Sequence, residues 1–371
     1  MTVEIAVIGG GMVGAAIAYG LASRGQRVVM LDGKDRDFRA ASANFGLVWL
    51  QGKGMDMPAY QRLTRSAVDL WRGFDNELTD AAGIDLQFEG RGGLKICLGQ
   101  KEFEERGARL LGLHNQMGGE ADWEMLDRGA LEKFLPGLRF GPDVAGASFG
   151  HRDGHANPLR LLAALHAAIL RKGGEVRGGV TVRSVTSHGG QFTIAADGER
   201  FSAQRVVIAA GLGSGPLAAQ VGLHVPLRPQ RGQILVTERL LPFLPLPLHD
   251  LRQTAEGTVM IGATQDEAGY DASTTMDAAI SLSARAIRCL PDLRNVTLVR
   301  QWAGLRIMTP DGCPIYAQSQ SHPGAFVALC HSGVTLAPLH AGLFAQGVAA
   351  GQLPAALDAF HHRRFDVPTA A

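Results

Sequence analysis

The chain has 371 residues, 46% hydrophobic and 19% charged, with a net charge of +1. That length allows roughly two or three domains with ample core, and a near-neutral balance without basic blocks or acidic tails leaves no footprint for nucleic acid. Cys97, Cys289, Cys313 and Cys330 show neither CxxC spacing nor a metal-ligand pattern, so isolated thiols of a reducing compartment are expected, and no metal.

The first predicted element is a buried strand, Glu4-Ile5-Ala6-Val7-Ile8, short, apolar and rich in β-branched residues. Gly9-Gly10-Gly11-Met12-Val13-Gly14 follows. Beyond it Val13, Ile17 and Leu21 recur every four residues and make one apolar stripe of a helix. Strand, glycine turn and helix in that order are the dinucleotide fingerprint. Gly9 permits the tight turn, Gly11 lets a pyrophosphate approach the backbone, and Gly14 lets helix and strand lie close. A second strand, Arg27–Leu31, ends at Asp32, eighteen residues after Gly14. A carboxylate there suits the hydroxyls of an adenosine ribose and argues against a 2′-phosphate.

After Asp32 no further βαβ unit follows. Residues 39–49, from Arg39 to Trp49, run from small side chains to bulky ones. Ser42 and Asn44 offer hydrogen bonds to a flat ligand there. The spacing then predicts an amphipathic helix over Gln61–Leu78, strands over Ile84–Leu98 around a Gly90-Arg91-Gly92-Gly93 turn, and helices over Lys101–Leu113 and Leu126–Phe134. Pro158 opens a helix through Arg171. Strands are expected at Val176–Val185, Phe192–Ala195, Arg205–Gly211, Val225–Glu238, Thr258–Gly262, Val296–Trp302 and Ala325–Cys330. A helix over Met276–Leu290 and one from Pro338 to about Ala350 complete the set. No Asp, Glu, Lys or Arg occurs from Gly312 to Leu357, but prolines, glycines and polar residues break that stretch. It reads as a buried strand, loop and helix, with no membrane span. The first strand begins at about residue 3, which leaves no room for a signal peptide, so a cytoplasmic protein is expected.

The expected fold class is therefore α/β with an α+β second domain. An interrupted Rossmann-type nucleotide domain would be built from residues 1–48, 150–222 and 320–371. A substrate domain with a mixed or antiparallel sheet would be built from 49–149 and 223–319. An NAD dehydrogenase more often finishes its nucleotide fold in one run; interruption suits a flavoprotein whose second domain covers a bulky ring.

Four stretches carry a resemblance: the glycine loop, the Ala210-Gly211 strand end, Trp302-Ala303-Gly304-Leu305-Arg306 and Ser332-Gly333-Val334-Thr335-Leu336-Ala337-Pro338. Together they resemble the FAD-dependent D-amino-acid oxidase superfamily, which includes glycine oxidase and the flavin subunit of hydrogen cyanide synthase. Residues 42–49 and 331–334 look most like a narrower branch, the catalytic subunits of D-hydroxyproline dehydrogenases and of octopine and nopaline oxidases. The resemblance implies non-covalent FAD, held by Gly9, Gly11, Met12, Val13, Gly14 and Asp32 at its ADP half. Ser42, Ala43 and Asn44 would lie along the pyrophosphate and ribityl chain, Val180 or Val182 at the adenine, and Ala210 and Gly211 against the dinucleotide. Ser332, Gly333, Val334, Thr335 and Leu336 would face the flavin pyrimidine. Arg306 would pair with a substrate carboxylate.

The chain departs from the glycine oxidase pattern at two points. Leu251-Arg252-Gln253-Thr254 stands where a closing aromatic is expected, and His331 replaces a second arginine. Both changes speak against glycine or small D-amino acids as best substrates and suit the narrower branch, whose resemblance implies bulkier substrates or secondary amines such as D-hydroxyproline, D-proline or an opine. His331 and Arg252 are therefore expected to set specificity. On the residues alone, His331 reads equally as a satisfied core histidine, and Arg252 and Lys53 as structural or solvated side chains. The narrower branch also implies partner subunits that take electrons onward. The uncharged, proline-rich segment Leu241–Leu248 is a candidate docking face.

Overall fold

The computed structural model describes residues 2–33, 40–120 and 122–366; Arg39, at the start of the small-residue run, lies outside them. Thr2–Ile8 pairs in parallel with Val28–Leu31 on one side and with Glu199–Ile208 on the other. Glu175–Arg177 and Ala325–Leu329 extend this parallel sheet, and Ile315–Gln318 closes one edge antiparallel. Val182–His188 and Gln191–Ala196 form an antiparallel branch on Glu199–Ile208, giving eight strands in all.

The central strands are apolar on both faces because both are covered. Ile5, Val7, Met30 and Val207 face one core with the helices Met12–Ala22, Pro58–Ala82 and Pro158–Arg171. Ala6, Ile8, Val29 and Ile208 face the other, with Phe192, Ile194 and Phe201. A third core joins a four-stranded antiparallel sheet (Leu251–Gln253, Thr258–Gly262, Arg228–Arg239, Leu298–Met308) to a three-stranded one (Gly93–Leu98, Val144–Gly150, Trp123–Asp127). Within it Leu94, Ile96 and Val144 meet Leu235, Val259 and Ile261, under the helix Met276–Cys289.

Several sequence expectations need correction. The helix expected at Gln61–Leu78 runs over Pro58–Ala82, and its Leu63, Ala67, Trp71, Phe74 and Leu78 pack on the large sheet's side, not in the second layer assigned to residues 49–149. Ile315–Gln318, placed in the second domain by the expected boundary at 319, belongs to the large sheet. Only Gly93–Leu98 of the stretch 84–98 is a strand. Leu126 and Asp127 end a strand, Trp123–Asp127, and the Asp127 carboxylate caps the helix that follows by accepting from the Ala130 N–H.

Val144–Gly150 was not legible as a strand, since its small residues have low β-propensity. Packing demands them: a Cβ on Gly146 would lie 2.3 Å from the Leu126 carbonyl oxygen. The Leu241–Leu248 segment is largely turned inward. Leu241 is exposed, but Leu248 is buried, and Phe243, Leu244 and Leu246 pack on the third core, with the Phe243 and Leu244 N–H groups donating to the Gln253 amide oxygen. No helix of the described residues is long and apolar enough to cross a membrane.

The first helix meets the C-terminal helical stretch at Gly20. A Cβ there would sit 2.0 Å from the Ala341 carbonyl oxygen, and Arg24 Nη1 donates to the Gly20 and Ala341 carbonyls at 2.7 and 2.9 Å. Backbone cannot yield as a flexible side chain would. Gly20→Ala is expected to lower stability by about 1–3 kcal/mol, against a helix-propensity gain of roughly 1 kcal/mol. Urea denaturation reads the change; an unaltered midpoint would contradict this packing.

Candidate active site

The parallel strands deliver their C-terminal ends to one edge of the sheet. Ile8 leads to Gly9, Leu31 to Asp32, Ile208 to Ala209-Ala210-Gly211, and Leu329 to Cys330-His331. All of these residues except Ile208 line a single cavity of about 1320 Å³ between the large sheet and the four-stranded sheet. A crevice beyond the carboxyl ends of the strands is where open α/β sheets bind ligands.

The glycine loop fits a dinucleotide. Gly9 has φ +110°, and a Cβ there would lie 2.3 Å from the Ala209 carbonyl oxygen. A Cβ on Gly14 would lie 1.9 Å from the Gly9 carbonyl oxygen. Gly11 is different: its φ is −73°, and a Cβ there would meet only the Ala41 methyl at 3.9 Å. The space above Gly11 is therefore open to a ligand. The Asp32 Oδ1 accepts from the Gly10 N–H at 2.9 Å, which holds the carboxylate at the mouth of the same loop.

Of the other expected cofactor residues, Met12, Val13, Ala43, Asn44, Val180, Val182, Ala210 and Gly211 line the cavity, so adenine could meet either valine. Ser332, Gly333, Val334 and Thr335 line it as well. Three expected residues do not. Gly14 acts through the close helix–strand approach, Leu336 is fully buried in core, and half-buried Ser42 stays in the turn. Asn44 accepts from the Gly46 N–H at 2.7 Å and so shapes its own turn. Thr335 fastens the last loop: its hydroxyl accepts from the Trp49 N–H, and its carbonyl accepts from Trp71 Nε1.

Arg306 lies on Leu298–Met308, a strand that runs six residues beyond the expected end at Trp302. Its guanidinium passes over Gly232, where a Cβ would come within 2.7 Å of it. Nη1 donates to the Thr264 carbonyl at 2.9 Å and, more weakly, to the Arg231 carbonyl. Among the described residues Nε and Nη2 have no acceptor, and no carboxylate lies within ion-pair distance. Burial lowers its pKa, opposed by the charge of Asp266. That acid is already bonded to Arg231, Gln233 and Thr264.

His331 also lines the cavity, and its Nε2 lies 3.0 Å from Lys53 Nζ and 3.2 Å from the Ser332 hydroxyl. Burial, then the charges of Lys53 and Arg306, hold its pKa well below the usual histidine value, so the ring is neutral. A neutral Nε2 accepts the Lys53 proton. Lys53 also donates to Ser332 Oγ at 2.8 Å, to which the buried Tyr60 hydroxyl donates at 3.0 Å. Desolvation brings the Lys53 pKa down to about 8.

Arg252 does not reach the cavity, which corrects its expected role in specificity. It is 3% exposed, and it donates through Nε to the Phe45 carbonyl and through Nη2 to the Met260 sulfur, with Nη1 3.3 Å from His155 Nδ1. Burial pushes its pKa down to about 10. It braces the turn at Gly46.

Sequence reasoning left Lys53 as a structural or solvated side chain and missed the network beneath it. Arg106 donates to the Gln51 amide oxygen at 2.7 Å and to the Ser148 hydroxyl at 2.9 Å. Gln51 in turn donates to Asp153, whose carboxylate also accepts from the Leu50 and Gln51 N–H groups. Burial raises the Asp153 pKa to about 7 against these hydrogen bonds. The available signal for Lys53 was its setting, Gly52-Lys53-Gly54, a lysine between two positive-φ glycines just after the small-residue loop.

Comparison with known proteins agrees with this geometry. Residues 4–347 match the model of the FAD dependent oxidoreductase family. An opine oxidase subunit from Agrobacterium tumefaciens (strain Ach5) is 42% identical over 366 residues, covering 98% of each chain. Its namesake from Rhizobium meliloti is 39% identical over 369 residues, covering 99% of each. The crystal structure of glycine oxidase from Geobacillus kaustophilus superposes with a TM-score of 0.88 at 26% identity, over 98% of this chain and 99% of that one. The chain belongs to the FAD-dependent oxidoreductase family, and FAD is its cofactor.

Gly11 separates cofactor binding from folding. Gly11→Val places methyls in open space with an ordinary φ. Apoprotein stability is expected to change by no more than about 0.5 kcal/mol, while FAD affinity falls at least about tenfold. Thermal unfolding of the apoprotein and a flavin titration read the two effects; undiminished affinity would remove Gly11 from the pyrophosphate site.

Proposed function

We propose that the protein oxidises the C–N bond of a secondary amino acid, of the D-proline or opine kind, with FAD held non-covalently and electrons passed to a partner subunit or another acceptor. The single observation that carries this reading is Arg306: a cation facing the cavity with, among the described residues, no acceptor on its Nε and Nη2 and no carboxylate within ion-pair distance. An uncompensated cation in a desolvated site is costly unless a ligand supplies the anion. A substrate carboxylate accepts from a guanidinium fork in two bonds at once, which also fixes orientation. The relatives named as opine oxidase subunits support the amine class and a second polypeptide.

Bound FAD supplies the acceptor for the hydride that leaves the carbon beside the nitrogen. The amine becomes an imine, its N–H proton going to solvent; water hydrolyses an open-chain imine of the opine kind to a 2-oxo acid and a smaller amine, whereas a D-proline leaves a cyclic imine. The chain contributes position and electrostatics. Arg306 fixes the carboxylate. Neutral His331 adds no charge against the amine. Thr335, tied to Trp49 and Trp71, fixes the last loop, which would hold the flavin ring.

Anaerobic mixing with D-proline, cis-4-hydroxy-D-proline, sarcosine, octopine and nopaline tests the reading. At least one should bleach the flavin, and acid precipitation should release all colour into the supernatant. Arg306→Ala is expected to lower kcat/KM for that substrate about tenfold to a hundredfold, the loss of a charge-assisted bond worth roughly 1.5–3 kcal/mol, with FAD content unchanged. Flavin that no amine reduces would overturn the proposal, and a variant of near-native efficiency would make Arg306 structural.

A further inference from the structure

The same cavity holds a second cation that the proposed reaction does not use. Lys53 Nζ has three protons, and two are taken, by Ser332 Oγ at 2.8 Å and His331 Nε2 at 3.0 Å. Both partners are neutral. Among the described residues no carboxylate stands within ion-pair distance of Lys53. The acid whose charge it feels, Asp153, is taken up by Leu50 and Gln51. Lys53, His331 and Arg306 line the same cavity, so the two cations stand in one site. Two desolvated cations with no carboxylate among the described residues at ion-pair distance leave a double positive charge for the ligand to neutralise.

Resting on the reading of an opine-type secondary amino acid as substrate, we propose that Lys53 is the receptor for the second carboxylate, the one that such an N-(carboxyalkyl) amino acid carries on the far side of its amine nitrogen. Arg306 takes the carboxylate of one arm and Lys53 that of the other. The nitrogen and its hydride-bearing carbon are then fixed at two points, which orients the carbon without a base or nucleophile from the chain. The glycines flanking Lys53 follow from the same demand. Gly54 packs on the start of the helix Pro58–Ala82, where a Cβ would lie 2.5 Å from the Gln61 nitrogen, and Gly52 has φ +81°. The turn is thereby pressed inward far enough for a lysine to reach the last loop.

The test uses two thioethers that lack the amine: thiodiacetate, with two carboxylates, and methylthioacetate, with one. Their dissociation constants are measured on the FAD-loaded protein by calorimetry. Wild type is expected to bind thiodiacetate at least about tenfold more tightly than methylthioacetate. Lys53→Met should close that gap, and Lys53→Arg should restore part of it, with thermal unfolding and FAD content confirming that both variants fold. A wild type without the preference, a preference that survives Lys53→Met, or a failure of thiodiacetate to bind overturns the assignment. Failure of the oxidation reading is separate, because it appears as flavin that no amine reduces while the two-carboxylate preference stands.

Discussion

The parallel pairing of Thr2–Ile8 with both of its neighbours is the constraint on which the site depends. Parallel strands end on the same edge, so every chain segment leaving this sheet at its carboxyl end is delivered to one crevice. The glycine loop, Asp32, Ala210-Gly211 and the His331–Thr335 loop are far apart in sequence and become neighbours for that reason alone. The approach must also be close. Gly9, Gly14 and Gly20 each occupy a point where a methyl would strike a backbone oxygen; the first two let the first helix and its turn close on the sheet, and Gly20 lets that helix meet the C-terminal helical stretch.

The second layer completes the site by closing over this crevice. Its four-stranded sheet brings Arg306 to the cavity, and Trp302 ties that strand to the small-residue loop by donating from Nε1 to the Ala43 carbonyl at 3.3 Å. The Gln51–Asp153–Arg106–Ser148 network anchors the segment that carries Lys53, with every member buried and bonded. Satisfied buried networks of this sort rigidify what they hold. Neutral groups hold both cations, Ser332 and His331 at Lys53 and the Thr264 carbonyl at Arg306, and among the described residues no carboxylate stands within ion-pair distance of either. That imbalance is what supports the proposal of an anionic substrate.

Much of this was legible in the sequence because local signals agreed with the fold. The glycine loop, the apolar strand before it and the helix stripe after it are all encoded within Glu4–Asp32. Arg306 stood out as an arginine among apolar neighbours. What was not legible depends on distance. Val144–Gly150 is a strand of small residues whose reason is the neighbouring backbone at Leu126. Arg252 resembled a pocket residue by its place in the chain, yet the fold turns it onto the Phe45 carbonyl. Lys53 had no periodicity to mark it, and only the return of the chain 278 residues later brings His331 to its side.

A crystal structure of the FAD-loaded protein with thiodiacetate bound tests the central claim most directly. The account predicts one carboxylate on Arg306 Nε and Nη2, the other on Lys53, and the flavin ring against Ser332–Thr335. A carboxylate of Asp266 or another protein acid closed onto Arg306, with the ligand elsewhere in the cavity, would contradict it.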